Sequence, residues 1–399
     1  MKIVFYKSNE MLPNIGGISR INCNLKDALQ TLGIQVIFLS SKRRNDIVPL
    51  ENQCWLPDVE VENSDENIEY LHNLIIKEGV NVIINNNFSI TSIKYLDTAR
   101  KNTRASLVTW IHNNIVEYSS KMGFRYEVQL CKKKLTFVYK IITSDVSISL
   151  LRTIATLKHH KTAKALYDLS DRVVTVCEGN VKEFIYLLRQ PDKQNKLYPI
   201  SNFVPPLSLT PAINEKDKTV VWCGTIDFDL KKTNWMLQIW KSVEQKEPDW
   251  NLYILGDSRD FNRMKGYANN LGLKNIHFEG RVNPENYYRR ASILCSTSIS
   301  ESFGLTLVEG MQQGVVPIAF ASSPSIREIV SSNGVLVTPF NKKEYVEKMV
   351  SLMQNDDERR MLGVRCREAS HQYAAEKIAH VWESLFNELN NFSNYNGIK

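Results

Sequence analysis

Two carboxylates eight positions apart, Glu301 and Glu309, stand out in the run Glu301-Ser-Phe-Gly-Leu-Thr-Leu-Val-Glu309, directly after the apolar stretch SILCST and its loop. Gly304 sits where a loop must approach something closely. From about Gly304 to Gln313 the run reads as a helix, with Leu305, Val308 and Gln312 along one side. A helix opening at Phe303 or Gly304 presents backbone N–H groups without intrahelical partners, a ready site for hydroxyl or phosphate oxygens. Glu301 then lies in the loop at the helix mouth and Glu309 about two turns inside. A carboxylate accepts well from a sugar diol, because two adjacent hydroxyls match its two oxygens. Taken alone, the two acids also have a plainer reading, with Glu301 offsetting a helix dipole and Glu309 facing solvent.

Other reactive-looking patterns are weaker. Asp227-Phe228-Asp229 is a D-x-D of the kind that binds metal in some transferases, yet no His or further carboxylate stands nearby, so it reads as a loop coincidence. Neither G-x-G-x-x-G nor G-x-x-x-x-G-K-[ST] occurs, which weighs against dehydrogenase and P-loop chemistry. A G-x-S-x-G elbow is also missing, which disfavours a serine hydrolase. The 7 cysteines are odd in number and widely spaced, without zinc-like spacing, which fits a reducing cytosol better than a disulfide framework.

The elements that must position these residues come from an alternation of strand and helix signals, predicting an α/β protein. IVFY (residues 3–6), IQVIFL (34–39), VNVIIN (80–85), SLVTWIH (106–112) and DRVVTVC (171–177) are strand-like. A one-sided stripe at Ile18, Ile21, Leu25, Ala28, Leu29 and Leu32 predicts the first helix, with Gly33 placed to cap it. The segment 198–218 holds four prolines and no amphipathic period, and reads as a linker. Alternation restarts at TVVWCG (219–224) and continues through NLYILG (251–256), NIHFEG (275–280), SILCST (292–297) and VVPIAF (315–320). Two doubly wound, parallel-sheet, Rossmann-like domains follow from this pattern. Their expected bounds are 1–203 and 219–370, with a linker at 204–218. Residues 371–399 form a helix expected to cross back to the first domain, with a polar tail after Asn390. Ligands of such sheets bind beyond the carboxyl ends of the strands, so the expected site is the central cleft that the two domains face.

Charge separates the two halves. The chain carries a formal +7, all of it within residues 1–203, since the remainder balances to zero. Residues 94–164 alone hold 14 basic and 4 acidic side chains, including CKKK at 131–134, interleaved with Phe124, Tyr126, Leu135, Phe137, Val138 and Tyr139. A solvated helix face comes first among the readings. An anionic membrane surface comes second. Nucleic acid comes last, because no nucleic-acid-binding signature accompanies the charge. Met1-Lys2 leads straight into a strand without a signal peptide, and no stretch is apolar enough to span a bilayer, so a cytoplasmic protein, peripheral at most to the inner membrane face, is expected.

The E-x7-E run with its continuation ESFGLTLVEGMQQGVVPIAF resembles the retaining glycosyltransferases of family 4, which have the GT-B fold. Further points of similarity are Gly16-Gly17 after the first strand, His112 in TWIHNN and ISNFV (200–204) entering the linker. Gly224 followed by Lys231 resembles the family's G-x-K loop, LGDS (255–258) and FEGRV (278–282) its strand ends, and IREIVSSNGVLVTP (326–339) the segment after E-x7-E. The second half matches closely and the first only at a few points.

The resemblance implies roles. Glu309 would bind the donor's ribose hydroxyls, and Glu301 with the backbone of Phe303, Gly304 and Leu305 the transferred sugar. Lys231 would stabilise the leaving diphosphate, near Gly224. His112 would sit by the reacting sugar. The backbone around Arg281, Val282 and Asn283 would contact the base, and Gly17 would let a backbone N–H approach the phosphate. No metal and no cofactor is implied. The donor is a nucleotide diphosphate sugar, a UDP-sugar ahead of a GDP-sugar. The acceptor is a glycan or a lipid-linked group in cell-surface polysaccharide or lipopolysaccharide synthesis. One departure is Thr225, where family members often carry an Arg beside the diphosphate; Arg20, Arg281 and Lys232 are the candidates to replace it. An accessory protein that binds nucleotide sugar without turnover, and a nucleotide-sugar epimerase or hydrolase, are the rival readings.

Overall fold

The computed structural model describes residues 1–12, 17–43, 49–112, 145–190, 192, 194–208 and 216–396. Gly16, linker residues 209–215 and the part of the basic stretch from 113 to 144, with its CKKK run and interleaved apolar residues, lie outside them. The chain forms two compact units, Met1–Phe203 with Ala375–Lys399, and Val204–Ala374.

The first unit holds a seven-stranded sheet made of β1 (Lys2–Tyr6), β2 (Gln35–Ser40), β3 (Gln53–Trp55), β4 (Val82–Asn85), β5 (Ser106–Ile111), β6 (Arg172–Thr175) and β7 (Leu197–Pro199). Its order is β3-β2-β1-β4-β5-β6-β7, and the paired neighbours run parallel. Ile3, Val4, Phe5 and Tyr6 are fully buried, as expected for a central strand covered by helices on both faces. The first helix, Gly17–Thr31, buries Ile21, Leu25 and Leu29 from its apolar stripe. It stops at Gly33, whose φ of 72° suits glycine and lets the Ile34 N–H reach back to the Leu29 carbonyl at 3.1 Å. The C-terminal helix, Ala375–Asn396, belongs to this unit and sets the Trp382 ring edge-on to Trp110 at 4.8 Å. It runs on past Asn390, where a polar tail is expected from composition.

The second unit repeats the plan with β8 (Thr219–Cys223), β9 (Asn251–Leu255), β10 (Ile276–Gly280), β11 (Ile293–Ser296), β12 (Val316–Phe320) and β13 (Val335–Val337), in the order β10-β9-β8-β11-β12-β13. One face packs Trp222, Ile254, Met236, Trp240 and Tyr345 into a core. Val204 and Ala374, the first and last residues of the unit, pair with each other, and the Val204 N–H donates to the Tyr373 carbonyl at 3.1 Å. In both sheets the strand order reverses once, between β1 and β4 and between β8 and β11, the topological position where α/β sheets open for ligands.

Strands β3, β7 and β13 fall outside the strands expected from patterning. Each has three residues and each lies at a sheet edge, so a short run pairing on one side leaves no readable alternation.

Candidate functional site

In the second unit, the residues singled out in sequence gather at the reversal point. Gly224 directly follows strand β8 and Gly256 directly follows β9, and the two backbones touch. A Cβ on Gly256 would stand 1.8 Å from the Gly224 carbonyl oxygen, and the φ values of 154° and 149° belong to glycine. The Gly224 N–H donates to the Leu255 carbonyl at 3.0 Å and the Gly256 N–H to Gly280 at 2.7 Å, so three strand ends finish in one stitched row.

From Gly224 the chain enters the loop leading to helix Thr233–Glu244. Asp227 shapes that loop through its own backbone. Its Oδ1 accepts from the N–H groups of Asp229, at 2.5 Å, and Leu230, at 2.8 Å, and its carbonyl accepts from Thr233. The D-x-D is thereby occupied with a turn, and among the described residues no cluster of His, Cys, Asp and Glu is arranged to hold a metal. Lys232 takes a left-handed conformation, φ 50°, and lays its ammonium over Trp235 at 5.4 Å. Thr225 is exposed.

Lys231 Nζ reaches Glu301 Oε1 at 2.5 Å. These side chains are 25% and 18% exposed, so the pair is shielded but still open to a ligand. Three hydroxyls that patterning does not single out hold it in place. Ser298 Oγ donates to the same Glu301 oxygen at 2.7 Å, Ser325 Oγ to the Glu301 carbonyl at 3.1 Å, and Thr297 Oγ1 to the Lys231 carbonyl at 3.0 Å. The hydroxyl-rich Ser296-Thr-Ser-Ile-Ser300 before Glu301 is the sequence signal for Thr297 and Ser298, while Ser325 comes from a later segment. The Ile299 N–H donates to the Leu230 carbonyl at 3.0 Å, tying the β11 loop to the β8 loop.

Helix Leu305–Gln312 starts behind Glu301. Its cap is Gly304, with φ 105° and no capping side chain, and a Cβ there would meet Ile326 at 3.0 Å. Phe303 is buried against Tyr373 at 5.6 Å. The buried residues of this helix are Leu307, Val308, Gly310 and Met311, while Leu305 and Gln312, on one side with Val308, are half-buried. A Cβ on Gly310 would lie 2.6 Å from Leu294 of β11, so that residue must face the sheet. Glu309, half-buried, is the fifth residue of the helix, about one turn inside instead of two. Arg281 and Val282 follow β10 and are exposed.

The first unit has a polar group at its own reversal point. His112, at the end of β5, is 4% exposed; its Nε2 lies 2.8 Å from Asn86 Oδ1, which also accepts from Asn22 at 3.2 Å. Burial, with Lys7 nearby, pushes the imidazole down to about 3, so it is neutral at physiological pH. With Nε2–H donated to Asn86, Nδ1 is a lone-pair acceptor, buried and without a partner among the described residues. Lys7 Nζ reaches Ser19 Oγ at 3.3 Å, and burial lowers its pKa. Gly17 opens the first helix with empty space where a Cβ would stand. Arg20 is half-buried on the same helix.

Residues 210–369 match the family model of glycosyl transferases group 1. An uncharacterized glycosyltransferase of Haemophilus influenzae is 28% identical over 219 residues, covering 54% of this chain and 61% of the relative, so the chain spans less than two thirds of that relative's length. Two solved structures share the fold at low identity. The lipopolysaccharide outer core galactosyltransferase WaaB in its apo form has a TM-score of 0.68 at 14% identity, over 99% of this chain and 100% of that one. Anabaena HepE in complex with UDP has a TM-score of 0.70 at 14% identity, over 97% and 100%. The chain thus has the GT-B type of fold, with two parallel-sheet Rossmann-like domains, and its residues 210–369 match a glycosyl transferases group 1 domain.

Proposed function

We propose that the chain is a retaining, metal-independent hexosyltransferase of family 4, with E-x7-E as its donor motif. It moves a hexose from a nucleotide diphosphate sugar, UDP ahead of GDP, to a glycan or lipid-linked acceptor in cell-surface polysaccharide synthesis. The observation that carries this reading is the Lys231–Glu301 pair at the strand-order reversal, ahead of a glycine-capped helix that bears Glu309.

Each group has a task in that chemistry. Before donor arrives, Lys231 and Glu301 neutralise and orient one another. On binding, Glu301 turns to the sugar hydroxyls and Lys231 to the diphosphate, while Glu309 takes the ribose diol and the backbone at Phe303, Gly304 and Leu305 supplies N–H donors. Gly224, Arg281 and Val282 line the nucleotide side, and Gly17 the phosphate side. The bond between the anomeric carbon and the diphosphate oxygen breaks, and negative charge gathers on the leaving group, where Lys231 and the helix-end N–H groups oppose it. The acceptor hydroxyl attacks the same face and gives its proton to the departing phosphate. His112, held neutral, offers the sugar a lone pair and no charge.

The WaaB and HepE likenesses support a uridine donor and a surface-glycan acceptor. A poly(ribitol-phosphate) alpha-N-acetylglucosaminyltransferase of Staphylococcus aureus, 23% identical over 232 residues, supports the same acceptor class. The excess positive charge of residues 1–203 supports work at the inner membrane face, with stretch 94–164 toward the lipid. Among the described residues no helix is long and apolar enough to cross a membrane.

A thermal-shift panel of UDP, GDP, ADP and their sugars tests the donor, because a ligand of the native state raises its stability. UDP and one UDP-sugar should raise Tm the most; a panel without any shift refutes the reading. Anomeric configuration of the product, read by NMR, tests retention. Tight binding without transfer to any acceptor would favour the accessory reading, for which Thr225 speaks.

A further inference from the structure

We propose that the exposed face of helix Asp145–Leu169, with the groove beside it, docks the protein on an anionic lipid surface by inserting aliphatic side chains, and not by charge alone. Val146, Leu150, Ile154 and Leu157 follow one another at spacings of four, four and three, and are 80%, 60%, 54% and 47% exposed. They form a single stripe about 16 Å long on the outer side of the helix. A helix of a soluble domain turns such a stripe inward. Here the inward side is a different one, carrying Thr156, Ala163, Leu166 and Tyr167.

The chemistry around the stripe selects the partner. Lys158, Lys161 and Lys164 continue the exposed side toward the C-terminus, Lys164 bonded to Asp168. Thr153 and Thr156 line a groove of about 520 Å³ whose other wall is helix Glu178–Leu188 and the residues just after it, with Lys182, Ile185, Tyr186 and Arg189. His160 Nδ1, 2.8 Å from the Leu187 carbonyl, holds the two helices together there. Aliphatic groups in a row with cations beside them match the boundary between acyl chains and phosphate headgroups. Single-stranded nucleic acid would instead ask for aromatic stacking planes, and the stripe has none.

This inference rests on the membrane part of the proposed function and gives it a residue-level device. The test is cosedimentation of the full chain with vesicles of phosphatidylcholine alone or mixed with phosphatidylglycerol. Binding to the mixed vesicles should weaken in about 0.5 M salt, where charges are screened, but persist. Leu150→Glu/Ile154→Glu should remove binding at both salt levels. Lys158→Glu/Lys161→Glu should weaken it at least about tenfold at low salt only. Thermal midpoint and UDP binding in the absence of vesicles should stay as in the parent for both variants, so failure of nucleotide binding and failure of lipid docking are read separately. Several results would overturn the proposal. One is unchanged lipid binding by the Leu150/Ile154 variant. Equal binding to neutral vesicles is another. A marked fall in Tm would mean that the chain itself covers the stripe, and a concentration-dependent dimer abolished by the same variant would mean that a second copy does.

Discussion

The two units solve the same topological problem with opposite materials. At its reversal point the second unit places charge, a lysine and a glutamate 2.5 Å apart, on loops whose course is dictated by glycines in conformations that other residues avoid. At the equivalent place the first unit buries a neutral imidazole against asparagine amides, with the Lys7 side chain nearby on Ser19, behind a helix start with open space around Gly17. One unit is shaped by a crowded backbone and the other by side chains. A shared strand order therefore says where a site forms and leaves its chemistry to the loops.

The sharpest way to break this contrast is Gly256→Ala. With the new Cβ driven against the Gly224 oxygen, roughly 3 kcal/mol or more of stability should be lost, read by urea unfolding. A near-neutral result would show that the strand ends are not crowded. Under the proposed roles, Lys231→Ala should leave the fold intact and lower kcat by about 10²-fold, since the cation assigned to the leaving group would be removed. Glu309→Gln should weaken nucleotide binding by about tenfold, measured by calorimetry, with little change in Tm.

The neutral side is probed by acid. His112 is held unprotonated down to about pH 3, whereas in the unfolded chain it takes up a proton near 6.5. Between those values the unfolded state binds more protons, so stability should decline as pH falls through that window. His112→Asn should flatten that part of the stability curve, and an unchanged slope would place the imidazole in solvent. The smallest effect belongs to Gly17→Ala, expected to shift stability by no more than about 0.5 kcal/mol, because nothing stands where the methyl group would go.

What could be read from the chain follows the same division. Central strands such as IVFY and VVPIAF announce themselves because burial on both faces demands unbroken apolar runs. The edge strands β3, β7 and β13, with three residues each, carry too little pattern to be seen. Gly224, Gly304, Glu301 and Glu309 stand in a spacing that can be recognised along the chain. The partnerships cannot. Lys231 meets Glu301 across 70 positions, and His112 meets Asn86 across 26. Thr297 and Ser325 enter only because folding brings a distant hydroxyl to a backbone carbonyl, while Ser298 lies three positions from the carboxylate it holds. Local letters report local conformation, and most of the hydrogen bonds that hold the Lys231–Glu301 pair are long-range.

The pairing of Val204 with Ala374 has a consequence for how this chain can be taken apart. Because entry and exit of residues 204–374 emerge side by side, that piece is topologically an insertion into its host. Two cuts at neighbouring points would release it with its termini already adjacent, ready for excision, for circular permutation or for exchange with the corresponding piece of another chain. The host could be resealed across the same short gap with a few residues of spacer.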